Sequence, residues 1–130
     1  MADRILIVDD EPGVSRVIEF AARQLGLEAL AINSSGDFEK AVQAIRPPII
    51  FLDIAMPGRD GLELIACLAA DNYPGKVVVM SGSDPRYIQM SATIARTRGL
   101  AVAGTLPKPF RKQAVIDLLS SLRASGPSSS

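Results

Sequence analysis

Apolar positions in this chain switch between two spacings. "RILIV" at 4–8, "IIFLD" at 49–53 and "KVVVM" at 76–80 are nearly continuous apolar runs. Runs this short with no polar side read as strands buried on both faces. "EALAI" at 28–32 and the less hydrophobic "LAVAGTL" at 100–106 predict two more strands. Between them the spacing becomes helical. Val14, Val17, Ile18, Ala21, Ala22 and Leu25 share one face, as do Phe38, Ala41, Val42 and Ile45. "LELIACLAA" at 62–70, a segment from Pro85 to about Arg98, and the set Val115, Leu118, Leu119 and Leu122 predict three further helices. The boundaries carry matching signals. Pro12 suits a first helical turn and Gly26 a stop. Ser34 with Asp37 forms a capping-box pattern, and Pro47 and Pro48 close the second helix. Asp84 or Ser83 can cap a helix that has Pro85 at its first position.

Five strands alternating with five helices predict a parallel sheet covered on both sides. Right-handed crossovers favour a flavodoxin-like doubly wound α/β sandwich, with a five-stranded sheet of order 2-1-3-4-5. The domain is expected over residues 1–123, with "ASGPSSS" at 124–130 as a disordered tail, linker stump or remnant. A length of 130 residues, 48% apolar and 22% charged, fits one globular domain with its own core. Fourteen basic and fourteen acidic residues give no positive excess for general nucleic-acid or membrane-surface binding. No apolar run approaches the ~20 residues of a membrane span, and the N-terminus has no secretory-signal pattern, so a cytoplasmic location is expected.

One cysteine and no histidine exclude an internal disulfide and His-dependent catalysis, and argue against zinc. Any metal would be held by oxygen, which points to Mg²⁺, Ca²⁺ or Mn²⁺. Cys67 shares a face with Leu64 and Leu68 and reads as a small core residue.

Ligands in doubly wound sheets bind beyond the carboxyl ends of the strands. Here those ends carry chemistry. Strand one ends in Asp9-Asp10, strand three in Asp53, strand four in Ser81-Gly82, and strand five is followed by Lys108. Taken singly, each is ordinary: acids before a helix cap it, and a Lys between prolines is solvated. Together they place three carboxylates, a hydroxyl and an ammonium on one edge. Two carboxylates about 4 Å apart repel by ~4 kcal/mol at an effective dielectric near 20. Asp9, Asp10 and Asp53 offset by Lys108 leave a double negative charge, which one Mg²⁺ would neutralise. Such a site can bring a phosphoryl group against a carboxylate. Asp53 is then the nucleophile, Ser81 and Lys108 contact phosphoryl oxygens, and Gly82 leaves room beside the backbone. Glu11 suits the first helix N-terminus, with an outer-shell role as the alternative.

"ILIVDDE", "FLDIAMPGRDG", "VVVMSG" and "LPKPF" resemble the motifs of the receiver domain of two-component response regulators, over roughly residues 3–123. The resemblance implies Asp53 as phosphoacceptor, served by a histidine kinase or a histidine phosphotransfer protein. It implies Asp10, Asp53 and the backbone carbonyl of Ala55 as Mg²⁺ ligands (Mn²⁺ as substitute), with Asp9 acting through water. It implies a cis Lys108-Pro109 bond, and Met56, Pro57 and Gly61 shaping the loop after the nucleophile. It implies Ser81 and position 105 as the switch pair, and output to an attached domain or downstream protein through helix 4, strand 5 and helix 5. Neither direct nucleic-acid binding nor membrane contact is expected of this domain. Enzymatic activity would be limited to its own phosphorylation and dephosphorylation.

Three departures stand out. Thr105 occupies the usual aromatic switch position. Ala55 and Ser83 stand where side chains tune the attacking water, which predicts slow-to-moderate autodephosphorylation. The 27 positions from Ser81 to Lys108 exceed the common spacing, which predicts an extended fourth helix or following loop. Two other functions compete. A protein-interaction module with vestigial phosphorylation would be consistent with Thr105. A Mg²⁺-dependent phosphohydrolase would need a second acid where Ala55 stands, and room for a cap domain.

Overall fold

A computed structural model of the chain describes residues 4–33, 35–55, 61–82 and 84–125. Five strands, β1 (Arg4–Val8), β2 (Glu28–Ile32), β3 (Ile49–Asp53), β4 (Lys76–Ser81) and β5 (Ala101–Pro107), alternate with five helices. These are α1 (Pro12–Gln24), α2 (Phe38–Ile45), α3 (Gly61–Ala70), α4 (Pro85–Thr97) and α5 (Lys112–Ser125). All pairings are parallel, in the order β2-β1-β3-β4-β5. This is the flavodoxin-like arrangement expected from the alternation of spacings.

The continuous apolar strands are the central ones. Every residue of β3 is buried, and β1 and β4 are buried except at their first residues. Successive side chains then feed two cores. Leu6, Val8, Ile50, Leu52, Val77 and Val79 pack with α2, α3 and α4. Ile5, Ile7, Phe51, Val78, Met80 and Leu106 pack with α1 and α5. Truncating one of these large side chains to Ala would cost ~2–5 kcal/mol.

The ends of elements match the sequence at most points. Asp84 caps α4 by accepting from the Arg86 amide at 2.8 Å, with Pro85 following it. The second helix differs from expectation. Asp37 is itself the N-cap of α2, after a 3₁₀ turn over Ser35–Asp37, so it does not stand at the third helical position that a capping box needs. Ser34, the other half of that box, lies outside the described residues. Cys67 is half-buried against the core, and its thiol donates to Glu39 Oε1 at 3.4 Å. α5 continues to Ser125, two residues beyond the boundary expected at 123.

The long interval from Ser81 to Lys108 is taken up in two places. α4 spans 13 residues, as α1 does, and only Arg98 to Leu100 separate it from β5. The helix, not its following loop, therefore makes up most of this interval. One further residue sits in a bulge. Val77 pairs with Val102, but Val78 pairs with Gly104, so Ala103 is extra. Ala103 packs on the α5 side, and a Cβ on Gly104 would meet Leu118 of α5 at 3.2 Å. Two neighbours thus share a face, and normal alternation resumes with Thr105 opposite Val79 and Leu106 opposite Met80.

Candidate functional site

The strand order reverses between β1 and β3, so the carboxyl ends of these strands open beside one another. Asp9 follows β1 and Asp53 ends β3; both are buried, at 1% and 2% exposure. Asp10 and Glu11 are exposed at the rim. One carboxylate oxygen from each of these four acids lies within 4.8 Å of the others. Lys108 reaches into the group from beyond β5. Its Nζ stands 2.8 Å from Asp9 Oδ2, 2.8 Å from Glu11 Oε1 and 2.9 Å from Asp53 Oδ2.

Backbone geometry aims each of these groups. The Lys108 amide donates to the Ser81 carbonyl at 2.8 Å, which ties the lysine to the end of β4. The Lys108-Pro109 peptide is cis, as the resemblance implied. Asp53 Oδ1 accepts from the Ala55 amide at 2.9 Å, and Asp9 Oδ1 accepts from the Glu11 amide at 2.8 Å. Gly61 closes the floor. A Cβ there would fall 2.3 Å from Ile54 Cα, so only glycine lets α3 pack against the chain just after Asp53. Met56, Pro57 and Ser83 lie outside the described residues.

Glu11 departs from its leading sequence reading. Its carbonyl accepts from the Val14 and Ser15 amides at the start of α1, but its side chain makes no cap. The carboxylate turns to Lys108 instead. The acidic group therefore has four members, and its formal balance with Lys108 is −3 rather than −2. One divalent cation would leave it at −1. The sequence carried no signal for this, because the contact depends on how near the fold brings Lys108, 97 positions along the chain; an exposed helix end would give the charge only ~0.3–1 kcal/mol.

Electrostatics follow from burial. Burial raises the pKa of Asp9, and the neighbouring Asp53 charge raises it further, against the lowering effect of Lys108 and the Glu11 amide. For Lys108, burial favours the neutral amine, but its contacts with the Asp9, Glu11 and Asp53 carboxylates prevail and hold it well above the usual lysine range. Asp9 Oδ2 is buried and ion-paired, yet it has no directed hydrogen bond. A buried carboxylate oxygen with a free lone pair, in a cluster of hard oxygen donors, fits a Mg²⁺-type cation. The acidic cluster is typical of a receiver Mg²⁺ site.

Ser81 is fully buried at the end of β4. Gly82 is exposed, and a Cβ there would make only ordinary contact with Lys108, 3.8 Å from its Cβ, so the space beside this backbone is open. Thr105 is half-buried, two strand positions before Pro107, which pairs with Ser81. The structure thus brings Asp9, Asp10, Asp53, Ser81, Gly82 and Lys108 to one edge, with Ala55 adjoining, and adds Glu11.

Comparison with known proteins points the same way. The family model for the response regulator receiver domain matches residues 5–120. Protein Rrf1 of Nitratidesulfovibrio vulgaris is 31% identical over 110 residues, covering 85% of this chain and 75% of its own. The DNA-binding response regulator MtrA of Mycolicibacterium smegmatis is 32% identical over 84 residues; the match takes in 65% of this chain and only 37% of MtrA. A response regulator from Colwellia psychrerythraea superposes with a TM-score of 0.79 at 27% identity, over 96% of this chain and 99% of the other. Among the described residues no helix is long and apolar enough to cross a membrane. With the family model spanning most of its length, the chain belongs to the response regulator receiver domains, signalling modules of two-component systems rather than catalytic enzymes.

Proposed function

We propose that this domain is a working phosphoacceptor, with Asp53 as the residue that takes the phosphoryl group. The observation that carries this reading is the geometry of Asp53. It is buried among three other acids, with one oxygen on the Ala55 amide and the other on Lys108. These contacts orient the carboxylate and leave lone pairs for attack on phosphorus. The bond from phosphorus to the donor imidazole of a histidine kinase or phosphotransfer protein breaks as the Asp53 oxygen bonds to phosphorus. Lys108 then pairs with a phosphoryl oxygen, and the Ser81 hydroxyl donates to another, beside the open space at Gly82. Asp10, Asp53 and the Ala55 carbonyl would hold Mg²⁺ or Mn²⁺ directly, with Asp9 acting through water. When bound, that ion neutralises charge on the phosphoryl oxygens and the acids.

Phosphorylation would draw Ser81 toward the new anion and shift the set of conformations at α4, β5 and α5, the surface facing an output domain or downstream protein. The receiver unit, expected over residues 1–123, is taken to run to the end of α5 at Ser125. Its place of action is the cytoplasm. Ala55, with no side chain to orient water, supports slow-to-moderate loss of the phosphoryl group.

Labelling with acetyl phosphate and Mg²⁺, followed by intact mass, tests the assignment. Wild type should gain one phosphoryl group and Asp53→Asn none; equal labelling of both would refute it. Thr105 favours a second reading, an interaction module with weak phosphorylation, because a threonine sweeps less volume than the aromatic usual there. Titration with beryllofluoride and Mg²⁺ separates the two. Amide shifts extending from Ser81 to α4 support the switch; a folded protein that does not respond supports the module.

A further inference from the structure

We propose that the outward face of α4 docks an acidic segment of a partner protein. The inference deepens the output role proposed above and rests on it only for when docking occurs. The chain's zero net charge conceals a separation. Residues 1–83 carry seven basic and twelve acidic side chains, and residues 84–130 carry seven basic and two acidic. The second set forms α4, β5 and α5. α4 has no Asp or Glu between Pro85 and Thr97, and its N-cap acid, Asp84, is taken up by Arg86 through the backbone amide and a 3.0 Å ion pair.

The inner face of α4 is small and apolar, with Ile88, Ser91, Ala92 and Ala95 buried. The outer face is exposed along its length, with Arg86, Met90, Thr93 and Arg96 in line, Gln89 and Thr97 beside them and Arg98 just beyond. Met90 is 48% exposed, one of only three large hydrophobic residues so placed among the described residues. Neither Arg96 nor Arg98 makes an ion pair among the described residues.

A cation in the last turn favours the helix dipole by ~0.3–1 kcal/mol, which accounts for Arg96 but not for Met90 or the missing acids. An apolar anchor flanked by arginines is the composition of an interface centre. A second copy docking α4 on α4 would set like charges together. A nucleic acid would use the arginines and gain little from the methionine. An acidic segment uses both, with an apolar side chain on Met90 and carboxylates on Arg96 and Arg98.

The test uses the full chain with Mg²⁺, with and without beryllofluoride. Fluorescence anisotropy compares a short amphipathic Leu–Glu peptide, its Leu–Lys counterpart and a short DNA duplex. The Leu–Glu peptide should bind best, with amide shifts centred on Met90 and Arg96. Met90→Asp, and Arg96→Glu with Arg98→Glu, should each weaken it roughly tenfold or more. All three positions are exposed, and circular dichroism checks that the variants remain folded. No binding, binding that survives charge reversal, shifts elsewhere, preference for DNA, or self-association through α4 would each overturn the proposal. Loss of the beryllofluoride response with peptide binding intact counts against the phosphoacceptor reading alone. The converse counts against this surface alone.

Discussion

Asp9 and Lys108 occupy the same few ångströms and pull stability in opposite directions. The pKa of Asp9 is raised on folding. Between its ordinary value and the raised one, the folded state holds more protons than the unfolded state. Its contribution is therefore full at low pH and lost as pH rises through the folded value, so ionised Asp9 is a net cost near neutrality. Asp9→Asn keeps an acceptor for the Glu11 amide and removes that cost. In EDTA at pH 7 its melting midpoint should rise by about a few degrees, read by calorimetry. Lys108 is the mirror case, because its pKa is raised by three partners. Its stabilisation is full below the ordinary lysine value and lost only as pH climbs through the folded one. Lys108→Ala leaves two buried carboxylates uncompensated and should cost ~3–5 kcal/mol at pH 7 by urea unfolding. The deficit should shrink in acid, as those carboxyls protonate. An unchanged midpoint at pH 7 would show that the three ion pairs contribute nothing net.

At the scale of elements, β5 shows what the sequence could and could not reveal. The strands were legible because burial on both faces leaves continuous apolar runs such as "IIFL" at 49–52. The convergence of Asp53 with Lys108 was legible because a parallel sheet points all strand ends one way. The bulge at Ala103 was not, because Ala-Val-Ala-Gly-Thr has no alternation for an extra residue to break. Nor was the turn of Glu11 toward Lys108, which depends on distances across β1, β3 and β5. The bulge leads to a sharp expectation. Deleting Ala103 restores one-to-one pairing and keeps Leu106 in the core and Lys108 on the acids. This variant should unfold within about 1 kcal/mol of wild type and keep its beryllofluoride response. Deleting Gly104 as well shifts the strand by one further residue. Leu106 then turns out of its core, with a loss of ~2–5 kcal/mol, and Lys108 leaves the site. If both deletions behaved alike, the bulge would not be what sets the register at Thr105 and Lys108.

For the whole molecule, the cluster of acids means that stability and metal binding draw on the same charges. Four acids and one lysine carry a formal −3 at the ends of β1 and β3, where the sheet is most deeply buried. The repulsion is spread through the two central strands, so any cation that binds only the folded site stabilises the whole fold. At a hundredfold excess over its dissociation constant, Mg²⁺ should add about 2.7 kcal/mol to the unfolding free energy. Removing it with EDTA should lower the midpoint correspondingly. The gain should fall with decreasing pH, because protonated carboxyls do not ligate, and Asp9, with its raised pKa, should be lost to the cation before an ordinary aspartate. Asp10→Asn should remove most of the Mg²⁺-dependent gain while leaving the metal-free stability nearly unchanged, since Asp10 is exposed. Asp9→Asn should raise the metal-free baseline and reduce the gain. Thermal melts of the three proteins across a Mg²⁺ series at two pH values distinguish these outcomes. A Mg²⁺ gain that is equal in all three would mean that the cation binds elsewhere on the molecule.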